Sequence, residues 1–228
     1  NGAYDPNAPL VCEDVRAVES PLKRLTASQY ENMVRDLFDG LVEVDVDFPT
    51  TPGLAGSGFS TEPEANPTSE RTVESILEAA EQVAAGVVGA LEAVLPCART
   101  TKDETCALQF IERYAERAMR RPVTKDVERE LLAAFRLGAG ESFDDGIATM
   151  VAHLFARPEV VYVLELGTET KKGALRLSGY EIATRLSLLF YDSIPDDELW
   201  EAARTGALED PDEVARQAER MLRDPRAH

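Results

Sequence analysis

The chain has 228 residues, a formal net charge of −18, 29% charged residues and 44% hydrophobic residues. This balance is typical of a folded protein rather than a disordered one. The negative charge disfavours binding to nucleic acid or to anionic lipid, because both are recognised through basic surfaces. No apolar run reaches the ~18 residues that a membrane-spanning helix needs. Because Ala, Leu and Glu are abundant and favour helices, we expect an all-α fold.

The first predicted helix is followed by an alternating segment. Thr26 and Gln29 form a capping box, which predicts a helix from about Thr26 to Phe38. Over residues 42–48 apolar and acidic residues alternate, and this period of two predicts a short extended strand with one exposed face. Its three carboxylates could instead bind Ca²⁺, but a strand face would line them up rather than make them converge.

Prolines and glycines are concentrated in two segments that we expect to be irregular. Residues 1–21 are predicted to form a leader, and residues 49–68 a long surface loop. Loops of more than ~15 residues are uncommon and are often functional or mobile. The glycines of the second segment do not make a phosphate-binding loop, because the Lys-Ser/Thr pair of that motif is missing.

The strongest helical pattern begins directly after this loop. A stripe of apolar residues with a 3.6-residue period predicts one helix from about Ser69 to Leu95, with Val73 and Leu77 on its inner face. The small residues on the same stripe, such as Ala80 and Ala84, would let another helix pack closely. We therefore expect this helix to lie at the centre of the core.

Six further helices are predicted, which gives about eight in a helical-bundle arrangement. They are expected at about 104–119, 124–138, from 142 to near the proline at 158, 178–190, from about 195, and 210–222. Ser178 and Glu181 form a second capping box, and Ile182 and Leu189 are among the apolar residues expected to face inward. The β-branched residues at 160–163 fit either a continued helix or a short buried strand, and the helix is favoured.

Three cysteines bear on the redox environment of the protein. Cys97 and Cys106 bracket a short polar stretch between two predicted helices. A disulfide would join the ends of this loop and stabilise the fold by roughly 2–3 kcal/mol, whereas the alternative is two free, buried thiols. The disulfide is favoured, and it implies an oxidising compartment. Cys12 would then either pair with a thiol outside this chain or stay free.

No catalytic, metal or cofactor site is identifiable by motif, and an enzymatic role for this segment is not favoured. His153 lies on a predicted helical face and is interpreted as a core or boundary histidine rather than as a general base or a ligand. Arg117, Arg120 and Arg121 fall at the end of a predicted helix, where cations stabilise the helix dipole and can pair with acidic side chains. An anion site is the functional alternative for these arginines.

Three stretches, read in order, resemble one group of domains. They are RLTASQYENMVRDLF at 24–38, RAMRRPVT at 117–124 and LSGYEIATRLS at 177–187. Together they look like the domains of unknown function DUF1587, DUF1595 and DUF1592 of planctomycete and myxobacterial cytochrome-associated proteins. The resemblance covers about residues 22–228.

The resemblance implies a division into three helical domains and a location. The first domain is expected at 22–96, the second at 97–167 and the start of a third at 173–228. Family members are exported, often as lipoproteins, so we expect a periplasmic or cell-surface protein, in agreement with the proposed disulfide. Family chains are longer, and the third domain is expected to continue past His228 in a C-terminal portion that would be this segment's first partner.

Three functions are compatible with this pattern. In the family, the C-terminal portion usually carries a Cys-x-x-Cys-His motif for haem c, which the present sequence lacks. The segment would then pack against a haem domain or dock a redox partner in electron transfer. The first alternative is a cell-envelope binding or scaffold module without redox chemistry. The second is part of an exported enzyme completed by the missing portion, with His153, Arg120 and Arg121 as the first residues to test.

Overall fold

The computed structural model describes residues 22–49, 69–170 and 175–227. The predicted leader at 1–21, residues 50–68 of the predicted loop, Cys12 and His228 lie outside the described residues. Within the described ranges the fold is mainly helical, with eight helices of seven or more residues, so the all-α prediction is confirmed. None of the described helices is long and apolar enough to cross a membrane.

Eleven α-helical segments follow one another along the described chain. They are α1 (Ala27–Leu37), α2 (Glu70–Gly89), α3 (Leu91–Val94), α4 (Glu104–Phe110), α5 (Glu116–Met119), α6 (Lys125–Gly138), α7 (Phe143–Phe155), α8 (Pro158–Val161), α9 (Gly179–Phe190), α10 (Asp197–Arg204) and α11 (Pro211–Leu222). A π-helical turn at Ile111–Ala115 joins α4 to α5, so these form one continuous helix over the predicted range. Short 3₁₀ turns lie at Pro96–Arg99 and Ala207–Glu209.

Both capping boxes form as predicted. The Thr26 side chain accepts a hydrogen bond from Gln29 N, and the Gln29 side chain accepts one from Thr26 N. Ser178 and Glu181 make the same reciprocal pair at the start of α9. Each box satisfies two backbone donors that a helix start leaves unpaired. These local interactions need no tertiary partner, which is why the sequence alone locates them.

The described residues also form four two-residue strands that the sequence pattern does not reveal. Lys23–Arg24 pairs in antiparallel fashion with Tyr162–Val163, and Thr168–Glu169 pairs with Leu175–Arg176. Two residues are too few to show a period in the sequence. The helix favoured over residues 160–163 is therefore only half right, since α8 ends at Val161 and a strand follows.

The strand predicted over residues 42–48 does not form. Val42, Val46 and Phe48 are buried, Val44 is partly buried and the acidic residues between them are exposed, so the predicted alternation of environments is present. No neighbouring strand pairs with it within the described chain; instead, two backbone N–H groups donate to side chains. Asp45 N donates to Gln82 Oε1 at 3.2 Å, and Val46 N donates to Glu31 Oε1 at 2.9 Å.

Two predicted inner faces are wrong in part. The helix expected from Ser69 to Leu95 breaks at Ala90, and its Val73 and Leu77 are 48% and 50% exposed. On α9, Leu189 is 70% exposed whereas Ala183 is fully buried. An apolar stripe is wider than the contact face of a helix, and the neighbouring elements decide which part of it is covered.

The buried residues form two hydrophobic clusters. The main core contains residues of α1 to α8 and is centred on the aromatic rings of Tyr30, Phe38, Phe110, Tyr114 and Phe155. The C-terminal core is smaller and lies among α9, α10 and α11. Helices from the first two predicted domains share the main core, with α7 packed between α2 and α6.

Candidate functional site

A cleft of about 400 Å³ lies where three parts of the chain meet; we call it the junction cleft. The end of α1 contributes Asp36, Leu37 and Asp39. The π-helical turn and the start of α5 contribute Glu112, Arg113, Tyr114, Glu116 and Arg117. Helix α10 and the segment before it contribute Ile194, Asp197 and Trp200. The cleft therefore exists only when all three parts are assembled.

The backbone around the cleft is irregular at two points. The π-helical turn Ile111–Ala115 adds an extra residue within one helical turn, and such turns occur frequently at functional sites. Asp39, just after α1, has a φ of 51°, in the left-handed region that few non-glycine residues adopt. Both irregular segments line the cleft, because Asp39 lies in one and Glu112, Arg113 and Tyr114 lie in the other.

The charge of the cleft is predominantly negative, with five carboxylates and two arginines. Arg117 pairs with Asp197 at 3.2 Å and donates to the Pro195 carbonyl oxygen at 2.7 Å. Its guanidinium also lies 5.2 Å from the centre of the Trp200 ring. Arg113 lies 5.2 Å from the centre of the Tyr114 ring. Both cations are thus engaged with the cleft wall.

Three of the five carboxylates have no hydrogen-bond or ion-pair partner among the described residues. Asp36 accepts a hydrogen bond from Ser193 at 2.6 Å and pairs with Arg35. By contrast, the side chains of Asp39, Glu112 and Glu116 make no hydrogen bond or ion pair with other described residues. The cleft therefore presents uncompensated negative charge beside Tyr114 and Trp200, which suits a cationic group with an apolar stem.

Arg120 is buried and occupies a structural position. Its guanidinium donates to the carbonyl oxygens of Val160 and Tyr162, both at 3.0 Å, and to that of Ala118 at 3.2 Å. Burial, with a smaller contribution from the adjacent Arg121, lowers the pKa of Arg120 to about 10. The ion pairing expected for these arginines holds for Arg117 but not for Arg120, which has no carboxylate partner among the described residues.

Arg121 and His153 lie in different depressions. Arg120 and Arg121 both line a cavity of about 220 Å³, which we call the arginine cavity. His153 is exposed and lines an open groove beside Arg157 and Glu159. The structure brings the two predicted arginines together and leaves the predicted histidine apart from them.

The two cysteines flanking the polar stretch are joined. Cys97 and Cys106 form a disulfide with their Cα atoms 5.7 Å apart, and Cys106 is fully buried. The bond ties the 3₁₀ turn after α3 to the first turn of α4. Within the part of the chain that the structure describes, no group of three or more His, Cys, Asp or Glu side chains is placed to hold a metal ion.

Of the residues that line the junction cleft, the sequence indicates Arg117 alone as a functional candidate. The chain carries 42 Asp and Glu residues, so no single carboxylate stands out. The sole tryptophan, Trp200, falls in the helix predicted from about residue 195 and belongs to no functional motif. No spacing rule links α1, the π-helical turn and α10, because their proximity depends on tertiary packing.

The fold and the cleft define an all-α protein in which three helical segments from distant parts of the sequence meet around an acidic depression. Three family models match the chain in order: PSD3, a protein of unknown function (DUF1587), at residues 23–89; PSD5, a protein of unknown function (DUF1595), at 106–165; and PSD4, a protein of unknown function (DUF1592), at 177–228. The chain thus carries these three domain types in the order expected from the resemblance. No curated protein and no solved structure matches it significantly.

Proposed function

We propose that the chain is the helical, haem-free part of an exported cytochrome-associated protein, and that it docks a basic redox partner at the junction cleft. The observation that carries the proposal is the set of uncompensated carboxylates around Tyr114 and Trp200. The ordered DUF1587, DUF1595 and DUF1592 matches are consistent with a cytochrome-associated module. The haem c belongs to the C-terminal portion that we expect beyond this segment.

The physical basis for docking is electrostatic steering followed by aromatic contact. A net charge of −18 attracts a basic partner from a distance, and a cleft concentrates that field. Complementary charges raise association rates and fix orientation more than they raise affinity. The largely buried rings of Tyr114 and Trp200 then form a preformed apolar wall against which a partner side chain can pack. Lysine side chains on the partner would satisfy both requirements.

The docking proposal is tested with a lysine-rich c-type cytochrome as the probe. The triple variant Asp39→Asn, Glu112→Gln and Glu116→Gln removes only side chains without described partners, so the fold is expected to persist. We expect binding at low salt to weaken about tenfold, measured by isothermal titration calorimetry.

A matched control has the same change in charge elsewhere. Glu74, Glu78 and Glu81 are exposed on α2, and their replacement by Gln should change affinity less than about twofold. Equal weakening by both triple variants would mean that net charge alone attracts the probe, and the assignment of the cleft would be abandoned.

The redox part of the proposal has a separate test. Visible absorption spectra of the native protein from its own source, reduced and oxidised, should show haem c. A featureless spectrum from intact full-length material would favour the non-redox envelope module, with the same cleft binding a basic partner.

Export is proposed on the basis of the disulfide, because such bonds persist mainly in oxidising compartments. Peptide mapping of the native protein without reduction should recover Cys97 and Cys106 in one linked species. Recovery of two alkylated thiols would argue against a periplasmic or cell-surface location.

A further inference from the structure

The arginine cavity is distinct from the junction cleft and lies between the second and third matched segments. Residues at the end of α5 form one wall, and residues at the start of α9 form another. No residue lines both depressions. The rings of Tyr180, which lines the cavity, and Trp200, which lines the cleft, lie 5.0 Å apart between their centres.

One wall of the cavity carries two positive charges. Arg120 is only 4% exposed, and its guanidinium donates hydrogen bonds to backbone carbonyl oxygens. No carboxylate of the described chain forms an ion pair with it. Arg121 follows it directly and is half-buried. Among the described residues, the Arg121 guanidinium has no hydrogen-bond or ion-pair partner. A cation held at a partly desolvated wall attracts an anion more strongly than one in open water.

The acidic residue in the cavity does not pair with either arginine. Glu181 accepts hydrogen bonds from Leu166 N at 2.6 Å, Gly167 N at 3.1 Å and Ser178 N at 2.7 Å, and one from the Ser178 hydroxyl at 2.8 Å. A carboxylate has about four lone-pair sites, so its accepting capacity is filled by its own chain. Burial raises the pKa of Glu181, but these hydrogen bonds outweigh it, so the carboxylate stays ionised and the charged residues that line the cavity sum to a single positive charge. The Arg121 fork remains available to an anion.

The rest of the wall and the size of the cavity define the ligand further. Met119, Pro122 and Leu164 are apolar, and the Tyr180 ring adds an aromatic surface. An apolar cavity of about 150 Å³ accommodates benzene. At about 220 Å³, this cavity has room for a ring-sized body together with a carboxylate. Pockets with mainly apolar walls and a few fixed polar groups are typical of small-molecule sites.

We propose that the arginine cavity binds a small organic carboxylate with an apolar body. The carboxylate pairs with Arg121, whose planar fork matches two oxygens, while Arg120 supplies a second positive charge behind it. The apolar body packs against Met119, Pro122 and Leu164. This function is independent of partner docking at the junction cleft, and either proposal can fail without the other.

The test is calorimetric titration of the whole protein with benzoate, acetate and inorganic phosphate. We expect benzoate to bind more tightly than acetate, because acetate lacks the apolar body, and more tightly than phosphate. In Arg121→Gln, benzoate affinity should fall about tenfold or more, since the charge-assisted pair is lost. The benzoate affinity of Arg121→Lys should lie between that of the unchanged protein and that of Arg121→Gln, because an ammonium group provides charge without the fork.

Arg129→Gln is the matched control, because Arg129 is exposed on α6 and its substitution removes the same single positive charge. Benzoate affinity should be unchanged in this variant. The proposal is overturned if benzoate binds no more tightly than about 10 mM, or if both Gln variants lose affinity equally. Tighter binding of phosphate or acetate than of benzoate would also overturn it, since the apolar wall would then have no part in recognition.

Discussion

The main core and the C-terminal core reach stability by different routes. The main core packs large aromatic side chains directly against one another, with the centres of Phe38 and Tyr114 5.0 Å apart and those of Phe110 and Tyr114 4.9 Å apart. The C-terminal core is small, and alanines such as Ala183 and Ala203 make up much of it. Apolar burial therefore dominates in one region and must be supplemented in the other.

Ion pairs and caps supply that supplement. Asp196 caps α10 by accepting a hydrogen bond from Leu199 N at 3.0 Å. It also accepts hydrogen bonds from the two terminal guanidinium nitrogens of Arg220, at 2.8 and 2.9 Å. Arg226 pairs with Asp224 at 2.7 Å and reaches Asp196 at 3.3 Å. This network joins α10 to the end of the described chain. We infer that the stability of the C-terminal region depends more strongly on charge state than that of the main core, which has its own ion pairs but a much larger apolar interior.

The boundary between the two regions is largely polar. Ser28 donates to Asp192 at 2.9 Å, and Ser193 donates to Asp36 at 2.6 Å. Two apolar residues also cross the boundary, since Ile194 is buried in the main core and Leu188 of α9 packs against it. A polar boundary lets one region open before the other. Trp200 is the only tryptophan of the chain and belongs to the C-terminal region, so its fluorescence reports that region while circular dichroism reports the whole fold.

The largest effect is expected for Phe110→Ala in the main core. Phe110 is fully buried against the rings of Phe38 and Tyr114, so its loss leaves a cavity and should lower the free energy of unfolding by about 3–5 kcal/mol. Urea denaturation followed by circular dichroism measures this loss. A loss below about 1.5 kcal/mol would mean that the aromatic cluster does not dominate the main core.

A smaller loss is expected when the disulfide is removed. The bond closes a loop with a sequence separation of 9, for which the entropy gained by the unfolded chain amounts to about 2–3 kcal/mol. The double variant Cys97→Ser and Cys106→Ser should show this loss in urea denaturation. Chemical reduction of the unchanged protein should give a similar shift, and no shift in either sample would contradict the loop-closure estimate.

Asp196→Ala should act on the C-terminal region alone. It removes a helix cap and the acceptor for Arg220, with an expected loss of about 1–2 kcal/mol. The Trp200 fluorescence transition should move to lower urea while the main circular dichroism transition stays in place. Asp212→Ala, an exposed acidic change on α11, serves as the control and should stay within about 0.5 kcal/mol. Equal movement of both transitions would show that the regions unfold together.

Lowering the pH should likewise unfold the C-terminal region before the main core. Hydrogen bonds from Arg216 and Gln217 lower the pKa of Glu213 to about 2, and the Arg226 side chain lowers the pKa of Asp224. Burial raises the pKa of Asp196, but hydrogen bonds from Arg220 and Leu199 N outweigh it.

Because these groups have ordinary pKa values of about 4 in the unfolded chain, their contribution is present above that pH and is lost as the pH falls towards 2. Trp200 fluorescence should therefore change at a higher pH than circular dichroism. Coincident changes would refute a separate, charge-dependent C-terminal region.

The local features of the fold were predictable because they depend on residues three or four positions apart. Thr26 with Gln29, and Ser178 with Glu181, start their helices where predicted. The helix over 104–119 also has the expected ends, although its π-helical turn leaves no trace in the pattern. Val73 and Leu189 show the limit, since hydrophobicity indicates an apolar stripe but not which part of it a neighbour covers.

By itself, the sequence determined the all-α class, the positions of the main helices, and the order of the three domain types. Tertiary structure alone decided that Arg120 is buried against backbone carbonyl oxygens, that Asp39, Glu112 and Trp200 share one cleft, and that Arg121 borders a cavity. The physical reason is the distance along the sequence over which each kind of interaction acts. Helix caps and apolar periods act within a few turns of chain, whereas the charge environment of a side chain depends on residues brought to it from far along the sequence.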